Sequence, residues 1–225
     1  MLEGLFGSVN KVTSTRKLMD KKQLSNLTVR CLILKHTQEN SKIVANGKYQ
    51  DEIDYLVSSK SRQNFIRNLS LKLEGNTLVL FQLVEKHGNI LYEMLNDKVN
   101  DSRKVFFVYG GTDAESREHV RSIVEQERDA IICASYGVYS TGVNIRKLHN
   151  IVFASPSKSR IRNLQSIGRG LRKSQSKEIA TLYDISDDLT WKSKTNYTLT
   201  HLKERIKLYN EENFPYKMRN IKFKG

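Results

Sequence analysis

The stretch NTLVLFQLVEKHGNILYEMLNDKVNDSRKVFFVYG, residues 76–110, contains a whole architectural unit. Its first seven residues form an apolar run rich in β-branched and aromatic side chains, which reads as a buried strand. VEKHGNILYEMLND then places apolar residues at helical spacing, and KVFFVYG (104–110) returns to a short apolar run. Strand, helix, strand in about 35 residues is the crossover that joins parallel strands.

The same beat continues outward. DAIICAS (129–135), NIVFAS (150–155) and EIATLYDI (178–185) read as further buried strands. AESREHVRSIVEQ and SRIRNLQSIGRGLR have helical period, and YGVYSTGVNIRKL is a shorter, less regular connection. This alternation predicts an α/β fold, a doubly wound parallel sheet with helices on both faces. Such sheets bind ligands at the carboxyl ends of their strands, where GGTD, SYGVYSTG, SPSKSR and DISDD fall.

The flanks differ in character. TVRCLILKH (28–36) predicts an edge strand, 37–48 a loop, and 49–73 one long helix with an exposed face of mixed charge. The first residues have no apolar core of their own. Near the other end an amphipathic helix stops close to Pro215 and gives way to a basic tail. The expected organisation is a linker and edge strand at 1–48, the main α/β domain at 49–190, and a C-terminal helix with its tail at 191–225.

Composition narrows the function classes. The 225 residues carry 38 Lys and Arg against 24 Asp and Glu, a formal charge of +14, which favours a phosphate-rich partner. Apolar runs such as AIICA are too short to span a bilayer and the N-terminus has no signal pattern, so a cytoplasmic protein without a membrane partner is expected. Cys31 and Cys133, each inside a strand-like run, are expected to be buried free thiols.

The most distinctive segment is QSIGRGLRKS (165–174). On a helix, Gln165, Arg169 and Arg172 stand at i, i+4 and i+7 and form a polar comb on one face. Gly168 costs that helix about 1 kcal/mol relative to alanine, which suggests a large ligand approaching the backbone closely. Arginine grips phosphate with a planar fork and, beside a transferring phosphoryl group, acts as an arginine finger. A solvated basic helix with an incidental glycine has the same spacing.

Three further loops suit phosphate or sugar. In GGTDAESRE, Thr112 and Glu115 have the spacing of a capping box, while Gly110 and Gly111 leave room for a phosphate. In SYGVYSTGVNI, Ser140, Thr141 and Gly142 precede Asn144, a mixture suited to backbone and hydroxyl contacts. Lys158, Arg160 and Arg162 extend the positive surface toward the comb. Asp184, Asp187 and Asp188 read as a polar turn at a strand end, and no metal is assigned to them.

Taken in order, LVLFQLVEKHG, VYGGTDAESRE, IICASYGVYSTGVNI and QSIGRGLRKS resemble the motifs of the second RecA-like domain of superfamily 2 helicases, QxxGRxxR being the most specific. LFGSVNKVTSTRKLMD and ASYGVYSTGVNIRKLHN are similar to segments of the phage UvsW-type group, which acts on branched DNA and R-loops in recombination and replication restart. The resemblance implies a P-loop NTPase-type domain in which Arg169 and Arg172 reach the γ-phosphate of ATP and Gln165 orders the same site. It places Gly142, Asn144 and Gly168 beside the nucleotide, although Asn144 stands where many members carry aspartate. It assigns Gly111, Thr112, Ser140 and Thr141, with Lys158 and Arg160, to the nucleic-acid backbone.

No GxxxxGK[ST] loop and no DExH-type acidic box occurs in the sequence. The chain therefore reads as the C-terminal motor half of an ATP-dependent DNA helicase, inactive alone, with ATP and Mg²⁺ bound mainly by an N-terminal RecA-like motor domain. Its other expected partners are branched or single-stranded DNA, without sequence preference, and the RNA of R-loops. The alternative, a non-enzymatic nucleic-acid-binding module, shares the charge but has no need of the comb. An unrelated α/β enzyme acting on a phosphorylated metabolite leaves +14 unexplained.

Overall fold

Five consecutive buried residues, Thr77 to Phe81, form strand β2 near the middle of the sheet. Only a strand covered on both faces takes a continuous apolar run. The computed structural model describes residues 26–99, 103–141, 145, 147–155, 159 and 179–223. In chain order the elements are β1 (Asn26–Lys35), α1 (Gln38–Val44), α2 (Tyr49–Ser58), α3 (Lys60–Lys72), β2 (Thr77–Phe81), a π-helical turn (Val84–Gly88) and α4 (Asn89–Asn96). They continue with β3 (Val105–Val108), α5 (Ala114–Gln126), β4 (Ile131–Ser135), α6 (Tyr136–Thr141), β5 (Asn150–Phe153), β6 (Ile179–Asp188), α7 (Tyr197–Glu211) and β7 (Tyr216–Lys222).

The described strands form one parallel sheet in the order β3-β4-β2-β5-β6-β1-β7. Side chains alternate between its faces, as the two-residue period requires. Val29, Leu78, Leu80, Ile132, Ile151 and Leu182 pack on one side with Val124 of α5 and Leu202 and Tyr209 of α7. Val79, Phe81, Cys133, Val152 and Ile185 pack on the other with Ile66 of α3 and Leu91 and Leu95 of α4. This is the doubly wound RecA-like sheet expected from the sequence. Cys31 and Cys133 are buried free thiols, and burial pushes the Cys133 thiol up to about 12.

Several local expectations are revised. β1 is not at an edge, because residues 216–222 of the expected tail pair with it as β7 and take the edge position. The single helix expected over 49–73 breaks at Ser59, whose extended backbone (φ −68°, ψ 106°) ends α2 and whose Oγ accepts from Arg62 N at 3.4 Å to start α3. The expected loop at 37–48 contains α1, capped by Thr37. The segment after β2 begins as a π-helical turn that brings Gly88 onto the Phe81 ring, where an added Cβ would lie 2.4 Å from Cε2.

Candidate functional site

The carboxyl ends of the described parallel strands lie along one edge of the sheet. After β3, Thr112 N donates to Tyr109 O at 3.0 Å and Tyr109 N donates to Thr112 Oγ1 at 3.1 Å, which closes the Gly110–Gly111 turn. Thr112 Oγ1 therefore accepts from its own turn, and among the described residues no acceptor takes its O–H proton. Gly111 lies against the Tyr109 ring, with an added Cβ 2.7 Å from Cε2, whereas a Cβ at Gly110 meets nothing within 4 Å. The two glycines thus differ: one fits against its own protein, the other faces open space.

The capping box expected at Thr112 is replaced by another cap. Asp113 is the N-cap of α5, with Oδ1 accepting from Ser116 N at 2.8 Å and Oδ2 from Ser116 Oγ at 2.7 Å. Those bonds hold the Asp113 carboxyl below the usual carboxylate range. An ionised side chain therefore occupies the helix entrance, and Thr112 and Gly110 offer the better contact to an anion.

Ser140 and Thr141 are the last two residues of α6, which follows β4 directly. Gly142, Asn144, Lys158, Arg160, Arg162, Gln165, Gly168, Arg169 and Arg172 lie outside the described residues.

A buried polar cluster joins the carboxyl ends of β1, β5 and β6. Arg62 Nε of α3 stands 3.1 and 3.0 Å from the two carboxylate oxygens of Asp187, and its Nη2 donates to Ala154 O at 2.9 Å. His36 Nε2 completes the grip at 3.0 Å from Asp187 Oδ1. Burial raises the Asp187 carboxyl, but the Arg62 charge and the His36 bond outweigh it and hold the group below its ordinary value. His87, in the π-helical turn, places Nδ1 2.9 Å from Ser155 Oγ. Burial first, and then the Arg62 charge, push its imidazole down to about 3, so it is neutral near pH 7.

Asp184 and Asp187 are thus not a polar turn. Both are fully buried within β6, Asp184 against Arg205 and Asp187 against Arg62. Sequence reasoning missed Arg62, His36 and His87 because their partners lie 125, 151 and 68 residues away. The one available signal was three aspartates in a run that otherwise reads as a buried strand, since buried carboxylates require cationic partners.

A parallel RecA-like sheet with loops at its carboxyl edge is the architecture of a helicase C-terminal motor domain. The chain belongs to the family described as helicase conserved C-terminal domain, whose model matches residues 60–174. The ATP-dependent DNA helicase UvsW of Enterobacteria phage T4 is 35% identical to it over 97% of this chain and 45% of that protein. The crystal structure of T4 UvsW superposes with a TM-score of 0.76 at 33% identity, covering 88% of this chain and 42% of that one. More distant likenesses carry the fold alone. The DNA-bound Type ISP restriction-modification enzyme LlaBIII matches at TM-score 0.64 and 14% identity over 98% of this chain and 17% of that one. The E. coli DEAD-box protein SrmB matches at 0.53 and 12% over 88% of this chain and 91% of that one. The chain spans about half the length of the curated relative it matches.

Proposed function

We propose that this chain is the C-terminal motor half of an ATP-dependent DNA helicase or translocase acting on branched DNA or R-loops in recombination and replication restart. The observation that carries this reading is the 35% identity to UvsW sustained over 97% of the chain. Arg169 and Arg172 reach the γ-phosphate of an ATP held mainly by an N-terminal RecA-like motor, Gln165 orders the same site, and Gly142, Asn144 and Gly168 lie beside the nucleotide. Arginine suits this role because its charge persists at any working pH and its fork matches phosphate oxygens.

Nucleic acid passes over the same edge. The Thr112 O–H, which no described residue accepts, and the open space at Gly110 support a backbone contact there, and Gly111, Ser140, Thr141, Lys158 and Arg160 extend it without reading sequence. Mg²⁺ belongs to the N-terminal motor. Asp184 and Asp187, the buried carboxylates of β6, are committed to Arg205 and Arg62 and do not suit a hydrated divalent ion. Among the described residues no helix is long and apolar enough to cross a membrane.

The test is DNA-stimulated ATP hydrolysis by this chain alone and together with a matching N-terminal motor domain. Turnover in the mixture only is the expected result. Turnover by the chain alone overturns the division of labour, and salt-sensitive DNA binding with no turnover in either case favours the binding-module alternative.

A further inference from the structure

The face of the sheet that α3 and α4 cover is open at one corner. On β1, β6 and β7, the side chains of Leu34, Ile185 and Ile221 pack in the same cluster as Ile66 of α3. Two-residue alternation puts Arg30, Tyr183, Lys217 and Arg219 on that same face, nearer the amino ends of the strands. The cover stops short of them. Arg30, Lys217 and Arg219 are exposed, and Ile179, on this face at the start of β6, is 56% exposed.

The register makes these groups a compact patch. Tyr183, Arg30 and Lys217 are direct partners across three neighbouring strands, each about 4.8 Å from the next, and Arg219 follows Lys217 by about 6.6 Å along β7. The Arg30 guanidinium lies over the Tyr183 ring, 5.8 Å from its centroid, which orients the charge without neutralising it. Among the described residues no carboxylate pairs with Arg30, Lys217 or Arg219. The one carboxylate on this face of the three strands, Asp187, is buried against Arg62.

Charge on an edge strand commonly keeps other strands from pairing with it, and Lys217 and Arg219 suit that purpose. Arg30 does not, because β1 is interior and has both its neighbours. An interior strand of a doubly wound sheet normally presents apolar side chains to a covering layer, whereas this one presents an arginine resting on a tyrosine. A protein partner calls for an apolar centre with charge at its rim, and here the charge stands in the middle. Unpaired cations beside the half-buried hydroxyls of Thr28 and Thr181, on a chain of charge +14, match a phosphate backbone.

We infer that Arg30, Lys217 and Arg219 form a second nucleic-acid contact, which holds the phosphate backbone of another arm of a branched substrate. The inference rests on the proposed action on branched DNA. Arg30 lies five residues before Lys35 at the carboxyl end of β1, a distance of about 17 Å. A strand bound along the carboxyl-edge loops therefore does not occupy this corner, and a separate arm does.

The experiment measures the affinity of the two-domain motor that contains this chain for a forked DNA duplex and for a single strand, across a range of salt. One variant combines Arg30→Gln, Lys217→Gln and Arg219→Gln; a control combines Lys104→Gln, Arg121→Gln and Lys207→Gln, which removes as many charges from exposed ion pairs elsewhere. For the fork, the slope of log affinity against log salt is expected to become shallower by about 2.7 in the patch variant, at about 0.9 per phosphate contact, and to stay at the parent value in the control. Single-strand affinity is expected to match that of the control. A fork slope no shallower than the control's overturns the inference and spares the helicase reading. Equal losses on fork and single strand put the patch on the path of the first strand and overturn the second-arm assignment. A parent that binds DNA without salt dependence overturns the nucleic-acid reading and this inference with it. Arg219→Glu, at one exposed position of the edge strand, gives the same reading if the triple variant misfolds: weakened fork binding supports the contact, and unchanged fork binding overturns it.

Discussion

Arg205 of α7 and Asp184 of β6 form a two-pronged ion pair, with Nε 2.8 Å from Oδ2 and Nη2 2.8 Å from Oδ1, both side chains being essentially inaccessible to water. Tyr209 donates its hydroxyl to the same carboxylate at 2.7 Å, and Ser186 Oγ accepts from Arg205 Nη2 at 2.7 Å. Burial alone would lower the Arg205 pKa, but Asp184 raises it above the usual arginine value. Arg205→Ala is expected to cost about 3–5 kcal/mol, because it strands a buried carboxylate. Arg205→Met combined with Asp184→Leu should recover most of that loss in denaturant titrations. A single variant as stable as the parent would show that the carboxylate finds another partner.

The N-terminus of α7 depends on a carboxylate from a distant helix. Glu52 of α2 accepts from Tyr197 N and Thr198 N, each at 2.8 Å, and from Asn196 Nδ2 at 2.9 Å. A buried anion at a helix N-terminus satisfies orphan amides and meets the positive end of the dipole. Glu52→Ala should destabilise by roughly 2 kcal/mol and speed amide exchange at Tyr197 and Thr198. Unchanged exchange at those two amides would count against the cap.

The buried imidazole of His87 makes stability fall with acid. Its pKa is about 3 in the folded state against 6.5 ordinarily, so the unfolded chain takes up the proton first. The contribution is complete above pH 6.5 and is lost as pH falls toward about 3, at up to roughly 1.4 kcal/mol per pH unit. His87→Asn should flatten the slope between about pH 6.5 and 4.5, above the range where the carboxylates titrate. An unchanged slope would show that other groups carry it.

The adjacent glycines after β3 separate internal fit from ligand access. Gly110→Ala meets no atom of the protein within 4 Å, so stability should change by less than about 0.5 kcal/mol while DNA affinity falls. Gly111→Ala collides with the Tyr109 ring and should lower Tm as well. If Gly110→Ala binds DNA like the parent, the turn is not part of the interface.

The formal charge of +14 predicts binding dominated by phosphate contacts. Affinity for single-stranded DNA should fall by orders of magnitude between about 50 and 200 mM salt, with little difference between base sequences. Arg172→Ala should leave that binding in place while reducing ATP hydrolysis at least about a thousandfold in the two-domain motor. A flat salt response would remove the backbone-contact reading.

What the sequence determined by itself was whatever local pattern encodes. The uninterrupted apolar run of β2, the helical period after β3 and the spacing of Gln165, Arg169 and Arg172 all lie within single segments, where periodicity and side-chain direction decide. Tertiary structure alone decided the partners. The sequence places Asp184 and Asp187 at a strand end, but only the packing of α7 and α3 against the sheet brings Arg205 and Arg62 to them and turns an apparent polar turn into two buried ion pairs. It also decided that β1 is interior, since the exposed and charged β7 becomes a strand only through the unpaired edge that β1 offers it. Burial and pairing depend on groups far apart in the chain, and no window of neighbouring residues contains them.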